Sequence, residues 1–253
     1  MNRRVLITAG ASGIGLEIAK AFAANGDRVF VCDINAEALK TVEQNVPRMI
    51  TTVCDVSKRD DIEKMVAFGA EKLGGYDVLI NNAGIAGPTA AVEDINPDDW
   101  EKVMQVDLNG TFNVTRLVIP YLKKSSAGII VNMSSVAGRF GYENRSPYAT
   151  AKWGIIGFTK TLSIELGKYG IRANAILPGA VAGPRIEKVL QGRADVNHTT
   201  VEEEKQNAMA AQSIKQFVDP KDIAALAVFL ASDAAKMISG QMMNIDGDMQ
   251  KAS

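Results

Sequence analysis

The sequence predicts an α/β fold, a doubly wound, seven-stranded and mainly parallel sheet flanked by helices on both faces. Two observations predict it. Short runs rich in Val, Ile and Leu alternate with amphipathic helical segments along the whole chain, and such a β-α-β-α order calls for right-handed crossovers between parallel strands. Several of the runs are apolar at consecutive positions, as expected of strands covered by helices on each side.

The strand runs span residues 4–8, 28–33, 48–55, 77–81, 128–133, 172–177 and 241–245, each bounded by Gly, Asn, Asp or Pro. Between the first two, Ile14, Ile18 and Phe22 recur at steps of four and form one apolar helix stripe, which stops at Asn25-Gly26. Further helical segments follow Asn35, Ser57 and Asn96-Pro97, and another begins near Tyr148. The stretch 184–219 breaks the pattern. It is long, polar and charged, and holds Arg185, Arg193, Glu202-Glu203-Glu204 and the only histidine, His198, to which no role is assigned. Such an excursion is a substrate lid or a solvated surface segment.

The bulk properties fit one domain over residues 1–253, with 47% apolar and 23% charged residues. A formal net charge of -1 without a basic run gives no attraction to nucleic acid or to an anionic membrane. Cys32 and Cys54 sit in strand-like runs without the spacing of a metal knuckle or redox pair, so they are expected as core residues and no metal is expected. The first strand follows Asn2-Arg3-Arg4 at once, leaving no room for a signal-peptide core, and no apolar stretch approaches a membrane span; the expectation is a cytoplasmic protein.

Thr8-Ala9-Gly10-Ala11-Ser12-Gly13-Ile14-Gly15 joins the first strand to the first helix. Gly10, Gly13 and Gly15 permit positive φ and close backbone approach, so the free N–H groups of the helix start can face a pyrophosphate. On its own the turn is equally a tight strand-to-helix connection. Asp33 ends the second strand eighteen residues after Gly15, close to the ~20-residue spacing at which a carboxylate meets the adenosine ribose hydroxyls. It would repel a 2′-phosphate, and Ser12 and Ile34 beside it carry no positive charge, so NAD is expected over NADP. The alternative for Asp33 is a solvated strand end.

Tyr148 and Lys152 stand at i and i+4, on one helix face and ~6 Å apart. A cation there favours phenolate over phenol, and such a tyrosine can exchange a proton with an alcohol or ketone. In isolation the pair reads more simply as an exposed helix face. Ser135 follows a buried-strand run and falls at the carboxyl edge of the sheet, either as a ligand for the substrate oxygen or as a serine that merely starts a loop.

Taken together these residues resemble the short-chain dehydrogenase/reductase family along essentially the whole chain. The likeness rests on the glycine turn, Asp55-Val56, Asn81-Asn82-Ala83-Gly84, Ser135 thirteen residues before Tyr148, Tyr148 with Lys152, Ile171-Arg172-Ala173-Asn174 before Pro178-Gly179, and Ile245-Asp246-Gly247. It implies a Rossmann fold with Ser135 as carbonyl orienter, Tyr148 as acid/base, and Lys152 as ribose ligand and tyrosine tuner. It further implies Gly10, Ser12, Gly13, Ile14, Gly15, Asp33, Ile34, Asp55, Val56, Asn82, Ala83, Gly84, Pro178 and Gly179 around the cofactor, a backbone contact from Val181 to the nicotinamide amide, and a homotetramer joined through helices near residues 109–122 and 148–168.

Three positions depart from the family pattern. Ala9 replaces the first glycine, which is tolerated if its φ stays negative. Asp107 replaces the active-site asparagine. It keeps the backbone carbonyl that holds a relay water, while an ionised side chain would act on Lys152 instead. Gly183 replaces a threonine that would bind the cofactor amide.

Three functions are weighed. The first is an NAD-dependent oxidoreductase interconverting a secondary alcohol and a ketone. The second is a non-catalytic NAD(H)-sensing protein, and the third another Rossmann enzyme such as a methyltransferase, which leaves the tyrosine and lysine unexplained. Arg139, Glu143, Asn144 and Arg145 before Tyr148, with Arg185 and Arg193 in the lid, point to a polar hydroxy acid, polyol or sugar derivative. Arg145 and Arg185 are the candidate substrate ligands, and solvated surface arginines are the alternative. A 3-oxoacyl thioester is a further substrate, disfavoured because reductive biosynthesis usually draws on NADPH.

Overall fold

The computed structural model describes residues 2–251. Strands β1 (Arg4–Thr8), β2 (Arg28–Asp33), β3 (Ile50–Val53), β4 (Val78–Asn81), β5 (Ile129–Met133), β6 (Arg172–Pro178) and β7 (Met242–Ile245) form one sheet in the order β3-β2-β1-β4-β5-β6-β7. Every pairing is parallel.

The helices are α1 (Gly13–Ala24), α2 (Ala36–Asn45), α3 (Arg59–Leu73), α4 (Pro97–Val103), α5 (Gly110–Leu122), α6 (Ser146–Gly167), α7 (Pro184–Asn197), α8 (Val201–Ala210) and α9 (Pro220–Leu230). A π-helical stretch, Met104–Asn109, joins α4 to α5. Wide turns of this kind often occur at functional sites, and this one carries Asp107.

Successive side chains of β1 explain its unbroken apolar run. Val5 and Ile7 enter a core built with Ile18 and Phe22 of α1 and Ile223 and Leu230 of α9. Leu6 enters the opposite core, with Ile62 and Met65 of α3, Val114 and Val118 of α5 and Leu162 of α6. Alternation still operates, but both sides are dry. Each such aliphatic side chain contributes roughly 1.5–3 kcal/mol on full burial.

Four strands shift by one residue at one end, and the largest difference is in the third. The run 48–55 yields a strand only over Ile50–Val53; at its start Arg48 takes φ +67° and turns the chain. Cys54 extends the ladder by one bond, its N–H donating to Asp33 O at 2.9 Å. Both cysteines are buried and free. The neighbouring Cys54 thiol and burial push the Cys32 thiol up.

The strand order reverses at β1, which lies between β2 and β4. Ligands of open α/β sheets bind in the crevice at such a point, beyond the carboxyl ends of the strands. The glycine turn leaves β1 there, Asn82 leaves β4, and Ser135 leaves β5 a strand further along.

Candidate active site

At the first helix, Ser12 has the extended backbone of an N-cap, yet its side chain accepts no hydrogen bond and no acidic residue stands in the first turn. The N-terminal amides of α1, starting at Gly13, Ile14 and Gly15, are left for an external anion. The turn is fastened to β4. Thr8 Oγ1 accepts from the N–H groups of Asn82 and Ala83, both at 3.0 Å, while Asn82 Nδ2 donates to Thr8 O at 3.1 Å and Ala9 O at 3.0 Å. Gly10 N donates to Cys32 O at 3.1 Å. A Cβ on Gly15 would fall 2.2 Å from Ala9 O and 2.5 Å from Asn82 Nδ2, so only glycine fits. The expectation of a negative φ at Ala9 is corrected, since Ala9 sits at +49°. The Asn82 clamp on its carbonyl holds it there.

Asp33 Oδ2 accepts from Ala11 N at 3.1 Å and Oδ1 from Asn35 N at 3.0 Å. Each oxygen keeps lone-pair capacity for a hydroxyl donor. Ile34 beside it is 68% exposed, an apolar surface suited to the face of an aromatic base. Asp55 is turned toward its own loop, where Oδ1 accepts from Ser57 N at 3.0 Å and Ser57 Oγ at 2.7 Å. Burial raises its carboxyl, but the Ser57 hydrogen bonds and the charge of Lys58 outweigh this and hold it below the usual range. Val56 packs under Gly110, where a Cβ would meet Val56 O at 2.9 Å.

Beyond β6, Pro178 is paired with Ile245, and Gly179 N donates to Ile245 O at 3.0 Å. Val181 bridges Val218. That bridge uses Ala180 O and Ala182 N, so the N–H and C=O of Val181 itself point away from Val218, as strand geometry requires. Gly183 lies at φ +134°, a conformation in which a threonine would be strained. The missing hydroxyl at this position thus follows from the path the chain takes into α7.

Helix α6 presents Tyr148 half-buried and Lys152 buried. Lys152 Nζ lies 5.4 Å from the Tyr148 ring centroid. The ammonium donates to Met133 O at 3.2 Å and pairs with Asp107 Oδ2 at 3.2 Å. Asp107 is fully buried. Its Oδ1 accepts from Ile85 N at 2.7 Å and its backbone carbonyl accepts from Thr111 Oγ1 at 2.8 Å. The aspartate side chain therefore touches the lysine directly. Gly84 closes this corner, a Cβ there falling 3.0 Å from Asp107 Oδ2 and 3.2 Å from Lys152 Nζ.

Ser135 Oγ accepts from Ala137 N at 3.1 Å, which leaves its O–H free to donate. The preceding residue fixes this exit from β5 to α6 through Ser134 Oγ, which donates to Lys152 O at 2.9 Å. The Tyr148 hydroxyl has no hydrogen-bond partner among the described residues.

Arginines surround the tyrosine. Arg145 Cζ is 5.3 Å from the Tyr148 ring and Arg185 Cζ 6.0 Å from it. Arg185 Nη1 donates to Gly84 O at 3.0 Å, carrying α7 to the Lys152 corner. Arg145 is 2% exposed. Burial lowers its guanidinium from the ordinary value, and Arg193 and Arg185 act in the same direction against Tyr142 and Tyr148. Arg139 is exposed and lies 4.7 Å from the Phe140 ring, and His198 is an exposed left-handed cap of α7.

Two residues here, Thr8 and Tyr142, have no role assigned from the sequence, which places Arg193 only in the lid. Thr8, Tyr142 and Arg193 act through contacts distant in sequence. A signal existed for Arg193 alone, because Leu190, Arg193 and Ala194 form the buried stripe of α7 at helical spacing.

The chain matches the family model described as Enoyl-(Acyl carrier protein) reductase over residues 8–250. It is 38% identical over 251 residues to D-beta-hydroxybutyrate dehydrogenase of Cupriavidus necator, covering 97% of each chain. It is 37% identical over 248 residues to the 3-oxoacyl-(acyl-carrier-protein) reductase FabG of Thermotoga maritima, covering 96% of each. The solved structure of NAD+-bound xylitol dehydrogenase superposes with a TM-score of 0.94 at 30% identity, covering 97% of this chain and 98% of that one. An actinorhodin polyketide ketoreductase with NADPH gives 0.93 at 34% identity, covering 97% and 96%. The chain belongs to the short-chain dehydrogenase/reductase family, oxidoreductases that act on alcohols and ketones.

Proposed function

We propose that the protein is an NAD-dependent dehydrogenase that interconverts a secondary alcohol and a ketone on a polar substrate, a hydroxy acid, polyol or sugar derivative. The observation that carries this reading is the Lys152 ammonium 5.4 Å from the Tyr148 ring, beside a phenol with no competing protein partner.

The residues present fit a dinucleotide. Uncapped amides of α1 suit a pyrophosphate, the open lone pairs of Asp33 suit ribose hydroxyls, and the peptide groups of Val181 suit an amide. Asp33 and the uncharged Ile34 favour NAD, since nothing at that strand end would neutralise a 2′-phosphate. When bound, the nicotinamide accepts or supplies the hydride. Tyr148 takes the hydroxyl proton as the carbinol becomes a carbonyl and returns it in reduction. Ser135 donates to the substrate oxygen. Lys152 binds ribose and keeps its ammonium beside the Tyr148 ring, with Asp107 fixing the ammonium in place.

Residues 184–219, now α7, α8 and their flanks, act as the lid, with Arg185 latching onto Gly84 O. Exposed Phe112 on α5 and Trp153 and Ile164 on α6 support a homotetramer through those helices. A second reading, a 3-oxoacyl thioester reductase, is favoured by the likeness to the Thermotoga enzyme.

Absorbance of the reduced nicotinamide, followed over hydroxy acids, polyols and sugars with NAD and NADP, tests the reading. Tyr148→Phe is expected to lower kcat by about 10²–10⁴ with cofactor affinity little changed. Near wild-type turnover in that variant overturns the acid/base assignment.

A further inference from the structure

The surroundings of Tyr148 carry more positive charge than the reaction needs. Tyr142 meets Tyr148 edge-on at 6.4 Å between ring centroids. Arg145 Cζ lies 5.3 Å from both rings, and Arg193 Cζ lies 5.1 Å from Tyr142, to whose hydroxyl its Nη2 donates. Arg145 is 2% and Arg193 8% exposed. Arg145 Nη2 donates to Ala86 O at 2.6 Å, but its Nε and Nη1 are buried without an acceptor, as is Arg193 Nη1.

Among the described residues no carboxylate forms an ion pair with either arginine or with Arg185. Glu204 acts on Arg193 only at a distance, since its Oε1 is held by Asn197 Nδ2 at 3.0 Å and Thr199 Oγ1 at 2.7 Å. Glu143 and Arg193 line the same polar cavity of about 500 Å³. Leaving buried guanidinium N–H groups without an acceptor is costly, and here Arg145 is left so against the Tyr148 ring, with Arg193 beyond Tyr142.

We propose that Arg145, with Arg193 beside it across Tyr142, binds the carboxylate of a short hydroxy acid whose carbinol lies at Tyr148. This rests on Tyr148 being the acid/base and narrows the three substrate classes to one. A polyol or sugar hydroxyl needs acceptors as well as donors, whereas the free groups are N–H donors only, the pattern that matches a carboxylate. Arg185 is set aside as the main ligand because it is exposed and has no buried N–H without an acceptor, unlike Arg145 and Arg193.

Initial rates are to be measured on both enantiomers of lactate and 3-hydroxybutyrate and on the amide of each. The expected result is that one acid exceeds its amide at least 100-fold in kcat/KM, mainly through KM. That ratio should collapse toward one in Arg145→Gln, recover in part in Arg145→Lys, and fall about tenfold in Arg193→Gln. An amide used as well as its acid, or a ratio that survives in Arg145→Gln, overturns the proposal. Malonate titrated calorimetrically into the Tyr148→Phe protein with NADH tests the anion site without turnover. Binding that Arg145→Gln abolishes supports the site, and absence of binding to the Tyr148→Phe protein overturns it. Malonate binding alongside undiminished turnover in Tyr148→Phe would leave the anion site standing and overturn the acid/base reading alone.

Discussion

Helices α1 and α8 begin in opposite ways. Both face the same problem, four backbone N–H groups without intrahelical acceptors. At α8 the chain solves it internally. Thr200 Oγ1 accepts from Glu203 N at 3.2 Å, Glu203 Oε2 accepts from Thr200 N at 2.8 Å, and three glutamates occupy the first turn. At α1 the N-cap serine makes no side-chain bond and the first turn carries no acid. A helix start finished by its own side chains needs no ligand, whereas one left bare where the strand order reverses can receive a ligand's charge.

The largest effect is expected where the bare end is physically blocked. Gly15→Ala introduces a Cβ 2.2 Å from Ala9 O, which must push the helix start off the turn. A stability loss of about 1–3 kcal/mol follows from overpacking, with NADH affinity, read by fluorescence titration, falling at least 100-fold. Unchanged affinity would show that the α1 amides bind no phosphate.

Ser12→Asp sharpens the contrast because its two effects have opposite signs. A carboxylate at the N-cap supplies α1 with the anion it lacks, raising the stability of the free protein by roughly 0.3–1 kcal/mol while repelling the pyrophosphate and weakening NADH about tenfold or more. Loss of both stability and affinity would mean that the serine already has a structural task. The reciprocal change at α8, Thr200→Ala, removes a working cap and should cost about 1 kcal/mol in denaturant unfolding with NADH affinity unchanged. A matching loss of NADH affinity there would break the contrast between the two ends.

What the sequence made legible follows the range of the interaction. Tyr148 and Lys152 could be paired because four residues along a helix is a fixed geometry, and β1 and β2 match their apolar runs from end to end. The contact of Asp107 with Lys152 joins residues 45 positions apart, so the substitution was visible but not whether carboxylate or carbonyl would meet the lysine. Arg145, Tyr142 and Arg193 converge only because Arg193 of α7 reaches the loop that precedes α6, a path no periodicity encodes. The late start of the strand at 48–55 came from one backbone angle, at Arg48, and residue type does not specify the sign of φ.

Ala9 is the same failure at finer scale and gives the smallest predicted effect. An L-residue in the left-handed region costs roughly 1–2 kcal/mol, and such strain persists only when its surroundings over-determine it. Two bonds from Asn82 Nδ2, to Thr8 O and Ala9 O, do so here. Ala9→Gly relieves the strain but frees the unfolded chain, which offsets about 0.5–1 kcal/mol of the gain. A net rise of roughly 0.5–1 kcal/mol remains, or about 1–4 °C in Tm for a chain of this size. The same clamp makes a second measurement informative, because Asn82→Ala removes the bonds that impose the angle. In that background Ala9→Gly should no longer stabilise, since the turn is then free to relax around alanine. A gain of equal size in both backgrounds would place the origin of the strain elsewhere than in the tie between β1 and β4.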